Sequence, residues 1–257
     1  MSTVTSRDGT TIAFERTGEG PPLVLVDGAL SHRSFGPLAP LPALLAPRFA
    51  VYAYDRRGRG ESGDTAPYAV AREVEDLDAV IAAAGGSAAV FGLSSGAALA
   101  LEAAAGALPV TRLALYEPPF SVEPEDTREY DEQLARLVAE GRGGDAVELF
   151  LTSAGVSPEA MAGMRADPSW AQFEAVGPTL LYDHAVLGDG LVPYERAAMV
   201  TAPTLVASGG ESPDFFVHAA RATADAIPDA RHESLDGQSW GRVAPEALAA
   251  MLERFLR

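Results

Sequence analysis

The sequence contains no cysteine, which excludes a disulfide framework, a thiol nucleophile and any cysteine-based metal site. No apolar run approaches the length that spans a bilayer. The stretch Met1 to Gly9 lacks the basic-then-apolar pattern of a secretory leader, so the expected location is the cytoplasm. Basic residues are scarce: 19 stand against 36 acidic ones, for a formal net charge of −17. That surplus argues against nucleic acid or an anionic membrane as a partner and for a soluble, self-repelling chain. There is no internal repeat. Histidine is rare too, with only His32, His184, His218 and His232. None belongs to a His-x-x-His or carboxylate–histidine cluster, so neither a metal nor a cofactor is expected.

What is present suits an α/β architecture. The 257 residues are 47% hydrophobic, enough for a sizeable core. Asp8-Gly9 between Thr3–Ser6 and Thr10–Glu15 signals a hairpin. Leu23-Val24-Leu25-Val26 is continuously apolar, as a strand buried on both faces requires. Further strands are expected over Phe49–Tyr54, Ala88–Phe91, Leu113–Tyr116, Thr204–Ala207 and His232–Leu235. Helices are expected over Leu38–Leu45, Val70–Ala84, Ser95 to about Ala105 and Pro245–Leu256, the last opened by a first-turn proline. The alternation implies a mostly parallel sheet flanked by helices. Residues 119–201 break that rhythm. They are long, helical and acidic early on, with the aromatics Trp170, Phe173 and Tyr182 later. They read as a helical lid inserted into a core made of 1–118 and 202–257, above the strand edge where α/β sheets bind ligands.

The chemistry centres on Gly92-Leu93-Ser94-Ser95-Gly96, a Gly-x-Ser-x-Gly pattern between a strand and a helix. A serine on so tight a turn is forced into a strained backbone and stands proud of the sheet. The small residues two before and two after it let strand and helix approach. The free N–H groups of the helix N-terminus then face whatever sits on Ser94.

These motifs, with Asp27-Gly28, Tyr54-Asp55-Arg56-Arg57-Gly58-Arg59-Gly60-Glu61-Ser62-Gly63 and Ala202-Pro203-Thr204-Leu205, resemble the α/β-hydrolase superfamily in order and over essentially the whole chain. The resemblance implies acyl-transfer chemistry, on an ester, lactone, thioester or amide, with Ser94 as nucleophile. It implies an oxyanion hole from the N–H groups of Ala29 and Ser95, with Gly28 allowing the turn. The residue before that glycine, often histidine in relatives, is Asp27. For the acid, relatives commonly use a position that is Ser212 here. Glu211 or Asp214 could stand in, and Glu117, at the end of the strand after the nucleophile helix, is favoured slightly over both.

The loop after the last strand, Leu235 to Val243, is where the superfamily places its histidine, and it contains Trp240 instead. An indole offers an apolar face and one N–H donor but cannot accept a proton. His184 in the lid is the leading surrogate base. His32, Tyr182, Trp170 and Trp240 are candidate substrate contacts. His218 and His232 read as packing, surface or sheet-edge residues. Three functions stay open: a serine-hydrolase-like enzyme (esterase, lactonase or thioesterase) with an atypical triad; a non-hydrolytic cyclase, lyase or isomerase using the oxyanion hole; and a binding protein with the same pocket. The expected partner is an apolar small molecule with a carbonyl, and a homodimer is the candidate assembly.

Overall fold

The apolar runs of the sequence become the central strands of one eight-stranded sheet. A computed structural model describes all 257 residues. The chain begins with β1 (Ser2–Thr5), β2 (Thr11–Thr17) and β3 (Pro22–Val26), then α1 (Leu41–Leu45) and β4 (Ala50–Tyr54). It continues through α2 (Val70–Ala83), β5 (Ala88–Leu93), α3 (Ser95–Ala105) and β6 (Val110–Tyr116). Six helices follow: α4 (Arg128–Ala139), α5 (Gly143–Ser153), α6 (Pro158–Ala166), α7 (Trp170–Val176), α8 (Leu180–Leu187) and α9 (Tyr194–Ala197). The chain then closes with β7 (Thr204–Gly209), α10 (Asp214–Ala226), β8 (Ala230–Leu235) and α11 (Pro245–Phe255).

The strand order is β1-β2-β4-β3-β5-β6-β7-β8. Pairing is antiparallel across β1–β2 and β2–β4 and parallel from β4 onward. Every residue of β4, β5 and β7 is buried, as a sheet covered on both faces demands. One core joins the sheet to α2, α3 and α10 through side chains such as Leu77, Ile81, Leu99 and Ala220. The other joins it to α1 and α11 through Leu41, Leu45, Leu248 and Leu252. Helix α1 is shorter than the expected Leu38–Leu45, because Pro40 and Pro42 lack the N–H groups that would extend its hydrogen bonding toward the N-terminus.

The helices between β6 and β7 have a small core of their own, built from Leu134, Leu137, Val147, Trp170, Val176 and Leu180. No helix is long and apolar enough to cross a membrane. Parallel register sets the site: Val26 pairs with Gly92, Leu93 with Tyr116 and Tyr116 with Ala207. The segments that follow β3, β5, β6 and β7 therefore emerge side by side on one edge.

Candidate active site

Ser94 sits between β5 and α3 at φ 53° and ψ −125°, a backbone conformation unusual for a residue with a side chain. It is locked there by its N–H, which donates to Tyr116 O at 2.9 Å, and by its carbonyl, which accepts from Ala97 N at 2.8 Å. The flanking glycines are sterically required. A methyl group at Gly92 would collide with the carbonyl oxygen of Gly96, and one at Gly96 with that of Val26. At Gly28 it would lie 3.0 Å from Leu93 O and 3.1 Å from Ser94 Cβ, so the loop after β3 passes directly over the turn.

Ala29, in that loop, and Ser95, at the start of α3, line the same cavity as Ser94. Asp27 is 3% exposed and its Oδ1 has no hydrogen-bond partner. Burial pushes its carboxyl up to about 7, against the pull of Arg59. The group is therefore largely protonated below neutrality.

Glu117 follows β6 and also holds a positive φ, 47°. Its buried carboxylate accepts from Gly209 N at 2.9 Å and from the Ser212 hydroxyl. Ser212 Oγ in turn accepts from Trp240 N at 2.8 Å. Burial raises the Glu117 carboxyl above its ordinary range, while the Ser212 and Gly209 hydrogen bonds oppose the rise. Glu211 and Asp214 are exposed. Of the three candidate acids only Glu117 is buried, and what it holds is the Trp240 loop. The indole stacks on Phe216 with centroids 5.7 Å apart, and Phe216 packs on Phe215 at 4.0 Å.

The cavity above these groups encloses about 460 Å³. Phe120, Phe150, Leu180, Leu187, Phe215 and Trp240 supply its apolar lining, and His184 is the only histidine on it. His184 Nε2 lies 3.0 Å from Asp131 Oδ1, within ion-pair range though not aligned as a hydrogen bond. Asp183, the preceding residue, also lines the cavity but is buried among Arg56, Arg59 and Ser95. Burial works against its charge, yet those neighbours more than offset it and hold the carboxyl below its usual range.

Comparison with known proteins bears on this arrangement. The model of the "Alpha/beta hydrolase family" matches residues 23–250. The chain belongs to the alpha/beta hydrolase family. An alpha/beta hydrolase from Sphaerobacter thermophilus DSM 20745 is 54% identical over 100% of both chains, with a TM-score of 0.93. A thermophilic esterase from Thermogutta terrifontis, solved with malate bound, is 24% identical over 100% of this chain and 97% of its own, with a TM-score of 0.77. The enol-lactonase from Burkholderia xenovorans LB400 is 22% identical over 99% of each chain, with a TM-score of 0.77. These last two likenesses establish the fold alone. The search of curated proteins finds no match.

In this alpha/beta hydrolase, Ser94, Ser95, Ala29, Trp240 and His184 share one cavity, with Gly28 and Glu117 directly behind it. Three expected substrate contacts lie elsewhere. Tyr182 turns away from the cavity to stack on Tyr68 at 3.9 Å and to donate to Asp64 Oδ2 at 2.7 Å, because successive residues of α8 face different directions. Trp170 is buried in the core of the helices between β6 and β7, against Phe173 and under the Arg165 guanidinium. His32 packs on Phe35 and bonds Ser34 Oγ through Nδ1, off the lining. His218 is exposed on α10, and His232 pairs with Ser208 on the edge strand β8.

Sequence reasoning missed Phe215, Phe216, Asp131 and Asp183. The Phe215-Phe216 pair, beside the acid loop, could have been read as an aromatic wall. A carboxylate in the otherwise apolar turn Leu180-Leu181-Tyr182-Asp183 was a signal for a buried partner. Asp131 carried none, sitting in a run of solvated acids.

Proposed function

We propose that the protein is a serine-dependent acyl hydrolase of atypical constellation, acting on a small, largely apolar molecule with an ester-type carbonyl. The observation that carries this reading is Ser94, held at positive φ in an aromatic-lined cavity that Ala29 and Ser95 also line. Ser94 Oγ attacks the carbonyl carbon, and the two N–H groups receive the developing oxyanion. The proton released goes to His184, directly or through a water in the cavity, and returns to the leaving oxygen as the carbon–oxygen bond breaks. Water then repeats the sequence on the acyl-serine. Asp131 beside His184 favours the imidazolium that forms, the service an acid performs in a serine triad. Glu117 contributes by fixing Ser212 and the Trp240 loop.

A second reading is favoured by the indole in the place of the loop histidine. There Ser94 never attacks; its hydroxyl joins the oxyanion hole and polarises a carbonyl or holds an enolate for a non-hydrolytic reaction.

The deciding experiment is fluorophosphonate labelling and turnover of short p-nitrophenyl esters by the native protein, Ser94→Ala and His184→Ala. The hydrolase reading expects labelling at Ser94, loss of turnover in Ser94→Ala, and a fall of roughly 100- to 10,000-fold in His184→Ala. Turnover that survives Ser94→Ala overturns it, and an unlabelled, inert native protein favours the second reading.

A further inference from the structure

Both donors of the proposed oxyanion hole are backbone groups on separate segments, and a single buried charge cluster touches both segments. Arg56 and Arg59, from the loop after β4, are each 1% exposed. Arg59 Nη1 donates to Gly28 O at 2.5 Å, and Arg56 Nη1 lies 3.3 Å from Asp27 O. The Gly28 carbonyl and the Ala29 N–H belong to one trans peptide plane. A guanidinium on the carbonyl therefore sends the N–H the opposite way and polarises it. Arg56 is held on its far edge by Glu73, with two contacts of 2.7 Å.

Asp183 closes the cluster. Its Oδ1 accepts from the Ser95 hydroxyl at 2.6 Å, from Arg56 Nη1 at 2.7 Å and from Arg59 Nη2 at 2.7 Å. Two arginines thus face Glu73 and Asp183, a balanced set, and only Asp183 reaches both arginines and Ser95. It is also the only member contributed by the helices between β6 and β7.

We infer that Asp183 is the positioning residue of the oxyanion hole: through Arg59 it sets the Gly28–Ala29 peptide, through the Ser95 hydroxyl it sets the first turn of α3, and the hole is complete only with α8 seated. This rests on the proposed oxyanion role of Ala29 and Ser95. Removing Asp183 leaves one buried positive charge without its partner and frees both segments. The loss falls on transition-state stabilisation and leaves the apolar cavity walls as they are.

The test uses two readouts. In kinetics with p-nitrophenyl acetate, Asp183→Asn lowers kcat roughly 10- to 100-fold, the scale of a small misplacement of catalytic groups, while KM moves less than about threefold. In a Ser94→Ala background, infrared spectra of bound phenyl acetate carrying a 13C carbonyl show the carbonyl stretch shifted to lower frequency, and Asp183→Asn shrinks that shift. A protein that is merely loosened does not separate kcat from KM in this way. If Asp183→Asn does not fold, as judged by circular dichroism, Ser95→Ala serves instead: it keeps the N–H, deletes the link and lowers both kcat and the shift by a smaller factor. A carbonyl shift that is present but indifferent to both variants overturns the inference alone. No shift even with Asp183 intact overturns the oxyanion reading and this inference with it.

Discussion

On the β3 side of Ser94 the polar groups are tied by paired charge; on the β6–β7 side they are tied by a single carboxylate and an aromatic stack. The first side has two buried arginines, two buried acids and both candidate N–H donors. The second has Glu117, whose hydrogen bonds end on Gly209, Ser212 and through it Trp240, with no imidazole in the chain of contacts. Burial pushes up a carboxyl on each side: the rise at Glu117 is opposed by its Ser212 and Gly209 hydrogen bonds, that at Asp27 chiefly by the charge of Arg59. Paired charge backs the candidate N–H donors on the first side, whereas the loop from Leu235 to Val243 on the second side contains no histidine.

The sharpest way to break the contrast is Trp240→His. Residue 240 lines the same cavity as Ser94, and its backbone N–H is bound to Ser212, which Glu117 holds. Ester hydrolysis is expected to rise roughly 100- to 10,000-fold, the usual worth of a positioned general base. A p-nitrophenyl ester assay reads it, and no gain means that the second side has been reshaped beyond repair by one residue.

The paired side is attacked by Asp183→Ala, which orphans a buried guanidinium. Stability falls by about 3–5 kcal/mol in urea unfolding. Glu73→Ala should behave alike, and indifference to either would show that the arginines do not depend on these partners.

Asp27 gives a pH signature. Its folded pKa of about 7 lies above the ordinary 3.8, so across that window the folded protein keeps a proton the unfolded chain has released. Stability conferred by the protonated form is therefore complete at acid pH and falls as pH rises from about 4 through about 7. Asp27→Asn should flatten that slope and gain up to roughly 4 kcal/mol at pH 8. Parallel pH curves for the two proteins would refute the shift.

The smallest effect belongs to the aromatic wall. Phe215 lines the cavity yet is 58% exposed, so Phe215→Ala should leave the melting temperature unchanged. The KM for an aryl ester should rise by a few fold, on the scale of about 0.5–1.5 kcal/mol for one aromatic contact. A change in kcat instead would place Phe215 nearer the reacting atoms than the wall.

Much of this was legible in the order of residues. The turn around Ser94 announces itself in five consecutive residues, Gly92 to Gly96, because Gly92 must clear the backbone of Gly96, while the clearance that Gly96 needs is set by Val26 on β3. Strand runs such as Leu23–Val26 announce two-sided burial for the same local reason. The lack of a histidine in Leu235 to Val243 is a fact of the sequence alone. Less legible was the facing of the residues of α8: Tyr182, Asp183 and His184 are consecutive, yet one docks on Tyr68, one enters the charge cluster and one reaches only the cavity and Asp131. Sequence patterning placed the helix without deciding which side would be drawn down onto the sheet.

What the sequence determined by itself was the fold family, through motifs read in order along the whole chain, the tight turn at Ser94, and the absence of histidine from Leu235 to Val243. What only the tertiary structure decided was the partnership of Arg56, Arg59, Ser95 and Asp183, and that of Glu117 with Ser212 and Trp240. Those groups are distant in the chain, and each could be a solvated side chain by its local setting. Strand order brings them to one edge, where burial leaves a charged group to be paired, as these are, or neutralised, as Asp27 is below neutrality.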